Sequence, residues 1–183
     1  MNYVRGFAPW LCYAALSSVD WRLGMCAAAL AALLLLAGQA RARRIDLLGA
    51  ATCAFFVVMA GIVLADPASE LHRWTCALAN GTLAGVAAAS LAVRRPFTLA
   101  IARTQVPREF WHAPRFIQVN MVLTAIWAAG FTTAAIVCAL IIRYDHAATV
   151  PLVLAQLLGF VIPFAISGRY ASRAQAAARQ ARA

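Results

Sequence analysis

Residues 23–44 read LGMCAAALAALLLLAGQARARR, an almost unbroken run of alanine and leucine that ends in a cluster of arginines. An apolar run of this kind is typical of a helix that crosses a lipid bilayer. Arginines at the end of such a helix indicate the cytoplasmic face, where they stop its passage through the membrane. The stretch therefore predicts a transmembrane helix and the side on which it ends.

The composition of the whole chain favours the same class of protein. Of its 183 residues, 64% are apolar, and the mean hydropathy is +0.77. This length has room for roughly five or six spans of about 20 residues, and no soluble domain fits beside them. The net charge of +10 is attributed to loops that face an anionic leaflet, and no nucleic acid is expected as a partner.

Six apolar segments are predicted to cross the membrane, in one domain over residues 1–183. The predicted fold is all-α, a polytopic helical bundle of about six transmembrane helices with one short cytoplasmic interfacial helix. The first segment has only thirteen residues, so an interfacial or re-entrant position remains open for it. Asp46 is predicted to cap the third segment. The six predicted spans are residues 7–19, 23–38, 47–65, 74–93, 116–142 and 150–167.

The arginines fall on alternate sides of these segments. The chain has no lysine, and of its 16 arginines thirteen fall on one side of the predicted membrane and three on the other. This asymmetry predicts an inner-membrane protein with both termini in the cytoplasm, and the arginine and alanine content is typical of a GC-rich bacterial genome. The cytoplasmic set is Arg5, Arg41, Arg43, Arg44, Arg94, Arg95, Arg103, Arg108, Arg115, Arg169, Arg173, Arg179 and Arg182, and the outer set is Arg22, Arg73 and Arg143.

Residues that would carry chemistry are scarce. The five cysteines lie one per apolar segment without a short spacing such as Cys-x-x-Cys, so we expect free, apolar thiols and no disulfide framework. The histidines lie in loops on different faces and cannot jointly bind haem or zinc. No catalytic motif is recognisable. The sequence therefore predicts no catalytic residues, no metal site, no cofactor and no enzymatic activity.

A stripe of small side chains marks the fourth segment. It recurs every four residues, so another helix can approach closely along it. We expect packing within the chain, with a homodimer contact as the alternative. The stripe consists of Ala77, Gly81, Gly85 and Ala89.

Three amides lie inside predicted spans, namely Asn80, Asn120 and Gln156. Because an unpaired amide is costly to bury, we expect Asn80 and Asn120 to form hydrogen bonds between helices. The alternative is that these side chains contact a substrate.

The connector, residues 95–115, is the one long link between spans. Phe97, Ala100, Ile101 and Thr104 are predicted to share the apolar face of a short helix at the headgroup level. The connector either positions two spans or forms a docking surface for a lipid headgroup or a protein. Its candidate interaction residues are Arg95, Phe97, Arg103, Arg108, Trp111 and Arg115.

The chain resembles the intracellular septation protein A family, small bacterial inner-membrane proteins associated with envelope synthesis and cell division. The topology is similar over nearly the whole chain, and the motif is specific from Arg95 to Phe131. The resemblance implies a non-enzymatic envelope role and supplies no catalytic residues. It rests on residues 41–44, Arg73-Trp74, Arg95-Pro96-Phe97, Pro107, Phe110-Trp111, Arg115, Asn120, Trp127 and Phe131.

These observations favour a structural or interaction protein of the inner membrane, with anionic lipids and other envelope membrane proteins as partners and a homodimer as an option. The alternative is a small permease or lipid-handling protein with a polar cavity lined by Asn80, Asn120 and Gln156. A membrane enzyme ranks third, and it would use the cluster of Arg108, Glu109 and His112.

Overall fold

The structure is a computed structural model that describes residues 8–17, 19–43, 45–66, 68–104, 106–145 and 149–180, with side chains as far as residue 173. Arg5, Arg44, His146 and Arg182 of the sequence predictions lie outside the described residues, as does the side chain of Arg179. Every regular element in the described part of the chain is helical. The chain divides into two compact units, residues 1–73 and 74–183, and each is described by itself.

The first unit contains three helices, α1 (Ala8–Leu16), α2 (Trp21–Arg41) and α3 (Leu47–Ala65). Two aspartates fix where the long helices begin. The Asp20 carboxylate accepts hydrogen bonds from the first backbone N–H groups of α2, and Asp46 accepts one from Gly49 N at 2.6 Å. The predicted N-cap at Asp46 is confirmed. Both carboxylates satisfy backbone donors that have no partner within the helix.

Aromatic rings join α1 to α3. Phe56 is fully buried, and the ring of Trp10 meets it edge-on with 4.8 Å between centroids. Tyr13 packs on the same ring at 6.0 Å. On α2 the buried positions are Met25 and small residues such as Ala28, which let the neighbouring helix approach.

The second unit contains α4 (Thr75–Ala92), α5 (Thr98–Ala102), α6 (Pro114–Tyr144) and α7 (Thr149–Gln180). A 3₁₀ turn over Glu70–Trp74 precedes α4, and another over Arg108–Phe110 precedes α6. Helices α4 and α6 run antiparallel and α7 packs on α6.

The antiparallel pair is joined covalently at one end. Cys76 near the start of α4 and Cys138 near the end of α6 form a disulfide, with Cα atoms 6.3 Å apart. The expectation that all five cysteines are free is therefore wrong for these two. Spacing along the sequence carried no signal because the pair is 62 residues apart and meets only through helix packing. Cys12, Cys26 and Cys53 are free.

Within the second unit, most of the small-residue stripe lies outside the packed helix contacts. Ala77 packs beside Cys138 and Ile142, but Gly81, Gly85 and Ala89 are exposed, and a Cβ added at either glycine would meet no atom of the described chain within 4 Å. Residues four apart rotate by about 40° around a helix, so the stripe winds away from the packed face. That face carries Asn80, Ala87 and Ser90.

The close helix crossing lies instead between α6 and α7. A Cβ on Gly159 would lie 2.5 Å from the Cβ of Ala134, and one on Gly130 would overlap the ring of Pro163. Trp127 and Phe160 pack edge to face beside this crossing, with centroids 5.1 Å apart. The two glycines therefore allow a backbone approach that larger side chains would prevent.

Five helices are long and apolar enough to cross a membrane: Trp21–Arg41, Leu47–Ala65, Glu70–Ala92, Pro114–Tyr144 and Thr149–Arg173. They correspond to the second to sixth predicted spans. Helix α1 has nine residues, about 14 Å of helix against roughly 30 Å of hydrocarbon, which is too short to cross by itself. Helix α7 was predicted to end near Ser167 but continues to Gln180.

Candidate functional site

The connector begins in a tight turn at the end of α4. Arg94 adopts a left-handed backbone with φ of 54°. Its N–H donates to Leu91 O, and the N–H of Arg95 donates to Ser90 O, both at 2.9 Å. These two bonds form a Schellman motif, which satisfies carbonyl groups left open at the end of the helix.

Helix α5 is anchored to α6 by one buried hydroxyl. Thr98 Oγ1 donates to the backbone carbonyl of Asn120 at 3.0 Å and lies 2.9 Å from Thr124 Oγ1. Thr98 and Leu99 are buried on this side of the short helix. The connector is therefore attached to the bundle of the second unit by specific hydrogen bonds.

The opposite side of α5 is open. Ala100, Ile101 and Thr104 are exposed and Phe97 is half-buried, so the predicted apolar face is available for contact with another surface. The regular helix is only five residues long. It is shorter than the predicted interfacial segment because Pro107, Pro114 and the turns between them interrupt it.

Trp111 is the centre of the second half of the connector. Its indole Nε1 donates to Val106 O at 3.0 Å, and its backbone N–H donates to Arg108 O at 3.2 Å. The Arg103 guanidinium carbon lies 5.3 Å from the indole centroid and that of Arg108 lies 5.7 Å away. Two cations thus converge on one fixed aromatic ring, an arrangement that cation–π attraction favours.

No carboxylate in the described part of the chain forms an ion pair with an arginine of the connector. The described residues include all six side-chain carboxylates, and the ion pair among them joins Arg73 to Glu70 at 3.5 Å. Glu109, the carboxylate of the connector, is exposed and forms no such pair. Arg95, Arg108 and Arg115 are exposed. The arrangement can attract and bind anions.

The three amides of the predicted polar cavity do not come together. Asn80 donates to Cys76 O at 2.9 Å and Asn120 donates to Phe116 O at 2.8 Å, each within its own helix, while Gln156 is exposed. On the antiparallel helices Asn80 and Asn120 are roughly 20 Å apart along the axis. The expectation that the two asparagines bond between helices is wrong, because each side chain reaches the carbonyl four residues earlier.

Thr98 and Thr124 perform the bridging that we expected of the asparagines. Both are buried. They lie 26 residues apart in the sequence, so no short sequence motif reveals the pair. The sequence signal for Thr124 was its polar character within an apolar run. Thr98 carried no signal beyond its position after Pro96.

Among the described residues, no group of three or more His, Cys, Asp or Glu side chains is arranged to hold a metal ion. Comparison of the chain with protein-family models, with curated proteins and with solved structures finds no match.

Proposed function

We propose that this protein is a non-enzymatic interaction protein of the bacterial inner membrane, with a structural role in cell envelope maintenance or cell division. Its connector acts as a cytoplasmic platform for anionic lipid and for other envelope membrane proteins. The observation that carries the proposal is that the connector is anchored through Thr98 while the charges of Arg95, Arg108 and Arg115 stay exposed.

The distribution of charge within each unit supports a cytoplasmic position of the connector. In the first unit, Trp21 stacks on His72 at 4.6 Å, so Arg22 and Arg73 share one end while Arg41 and Arg43 lie at the other. In the second unit the connector arginines lie at one end of α6, and Arg143 lies at the other. The arginine-rich ends are expected to face the cytoplasm.

The disulfide supports the same orientation independently. Cys76 and Cys138 lie at the arginine-poor end of the second unit, near Arg143. Disulfides form and persist on the oxidising side of a membrane and are rare in the cytosol. An outer position of this end is therefore chemically consistent with the arginine distribution.

Six crossings remain part of the proposal. Helix α1 packs beside α2 and is joined to it by a short link. We propose that the first predicted span, residues 7–19, also crosses the membrane, which would bring both termini to the cytoplasm. A permease with a polar cavity is the weaker alternative, because Asn80 and Asn120 are far apart in the second unit.

Complementation of a strain that lacks the gene tests the proposed function. One variant carries Arg103→Gln, Arg108→Gln, Arg115→Gln and Trp111→Ala, which removes the charge and the ring of the platform. The control carries Arg22→Gln, Arg73→Gln and Arg143→Gln, which removes the same number of charges at the opposite ends. We expect both proteins to insert, the control to restore growth and the platform variant to fail. Full complementation by the platform variant would refute the proposal.

A further inference from the structure

We infer that Arg103, Arg108 and Trp111 form a binding site for the phosphate group of an anionic phospholipid. The inference deepens the proposed function and rests on it, because that proposal places the connector at the cytoplasmic surface of the membrane. It differs from a general attraction to charged lipid in assigning the contact to two particular guanidinium groups.

Two positive charges lie close to the indole ring of Trp111. The guanidinium carbons of Arg103 and Arg108 lie 5.3 Å and 5.7 Å from the centroid of the same indole. No carboxylate in the described chain pairs with either group. Two like charges held near one ring repel each other, so an anion bound beside the ring lowers this repulsion and is attracted by both.

One hydrogen-bond donor of Arg103 has no partner within the described chain. Arg103 Nε is buried and has no acceptor among the described residues. Buried polar groups in folded proteins almost always have a partner, so a small rotation of the Arg103 side chain that brings this N–H to an acceptor from outside the chain would satisfy it. The planar fork of a guanidinium group matches two phosphate oxygens, which makes phosphate the fitting anion.

The backbone of the site is ordered before the ligand binds. Trp111 is fixed by its indole bond to Val106 O, and the backbone N–H of Arg103 donates to Leu99 O at 2.9 Å. Leu99 follows the anchoring residue Thr98. Binding therefore requires little further ordering of the backbone, and such preorganisation favours a specific site.

The position of the site favours a lipid over free phosphate. Tryptophan and arginine are typical of the headgroup level of a membrane, and the connector joins two helices that are long enough to span it. Ala100 and Ile101 on α5 are exposed beside the charged half of the connector. The acyl chains of a phospholipid can pack on this apolar surface, whereas inorganic phosphate has no apolar part.

Thermal unfolding of the full-length, detergent-solubilised protein tests the site. The probe is dihexanoyl phosphatidylglycerol, added in increasing concentration, with dihexanoyl phosphatidylcholine and inorganic phosphate in parallel. We expect a saturable rise of the unfolding midpoint with phosphatidylglycerol alone. Arg103→Gln and Arg108→Gln should each weaken the apparent affinity at least tenfold, whereas Arg169→Gln, with the same charge change at an exposed position outside the connector, should retain it. Unfolding midpoints without lipid identify any variant that fails to fold.

Each other outcome overturns the inference in a distinct way. An equal response to inorganic phosphate would identify a site for the free ion. Equal weakening by Arg169→Gln would indicate diffuse attraction to the positive charge of the protein, and a complete lack of response to phosphatidylglycerol would remove the site. The proposed function is judged separately by the complementation assay, so the inference can fail while the platform still proves necessary for growth.

Discussion

Arg94 adopts a backbone conformation that is unfavourable for any residue with a Cβ atom. Its φ of 54° lies in the left-handed region, which costs a residue with a Cβ roughly 1–2 kcal/mol and suits glycine. Arg43 has φ of 51° at the end of α2. An arginine at this position interacts favourably with the helix C-terminus, typically by about 0.3–1 kcal/mol, so its charge offsets part of the backbone cost.

Replacement of Arg94 separates these two effects. We expect Arg94→Gly to raise the free energy of unfolding by about 1 kcal/mol relative to Arg94→Ala, because both lose the charge but only glycine relieves the backbone. Titration with dodecyl sulfate in mixed micelles measures the difference. Equal stability of the two variants would show that the turn does not hold Arg94 in the left-handed conformation.

Thr98 is predicted to hold the connector on α6. Thr98→Val keeps the shape but removes the hydroxyl that contacts Asn120 O and Thr124 Oγ1, so we expect a loss of about 1–2 kcal/mol of unfolding free energy. Thr132→Val is the matched control, because its hydroxyl bonds only to Ala128 O in its own helix at an exposed position. Hydrogen exchange of residues 98–104 should accelerate in Thr98→Val alone, and unchanged exchange would contradict the anchoring role.

At the scale of helices, the α6–α7 crossing depends on its glycines. Gly159→Leu should lower the free energy of unfolding by about 1–3 kcal/mol through overpacking against Ala134. Gly81→Leu is the control at a glycine with open space around it, and we expect it to change stability by less than about 0.5 kcal/mol. If Gly81→Leu destabilised the protein as much as Gly159→Leu, the small-residue stripe would be a packing contact after all.

The helices themselves were predictable from the sequence because long apolar runs and their polar ends determine where a spanning helix can lie. Residues 47–65 match α3 at both ends, and 116–142 falls two residues short of α6 at each end. Which helix faces meet was not predictable. The stripe that includes Gly81 indicates where close approach is allowed, whereas Gly130 and Gly159 show where a partner helix actually lies.

The candidate site was predictable in composition but not in geometry. The sequence identified Arg103, Arg108 and Trp111 as connector residues of interest. Their convergence depends on the turn that bonds Trp111 Nε1 to Val106 O, and such a local bond leaves no periodic pattern. The anchoring hydroxyl of Thr98 was missed for the same reason, since its partners lie in a helix distant in sequence.

For the whole molecule, the disulfide and the arginine distribution predict one orientation. In cells, Cys76 and Cys138 should resist alkylation until a reductant is added, because they are bonded to each other and the proposed orientation places this bond on the oxidising side of the membrane. Alkylation with a mass tag before and after reduction, followed by electrophoresis, counts the protected thiols. Because Cys138 is fully buried, the chain is denatured in dodecyl sulfate before alkylation. Cys138 of a Cys76→Ser variant should then react without reductant, and free thiols at both positions in the native chain would contradict this orientation.

Thiol labelling across α6 tests the central claim, a cytoplasmic platform, most directly. Single cysteines are introduced at Glu109 in the connector and at Tyr144, which is 85% exposed at the other end of α6, in a chain whose native cysteines are replaced by alanine. Intact cells are then treated with a membrane-impermeant maleimide. The account predicts that Tyr144→Cys reacts at once and that Glu109→Cys reacts only after the inner membrane is permeabilised. Labelling of Glu109→Cys in intact cells would contradict a cytoplasmic platform.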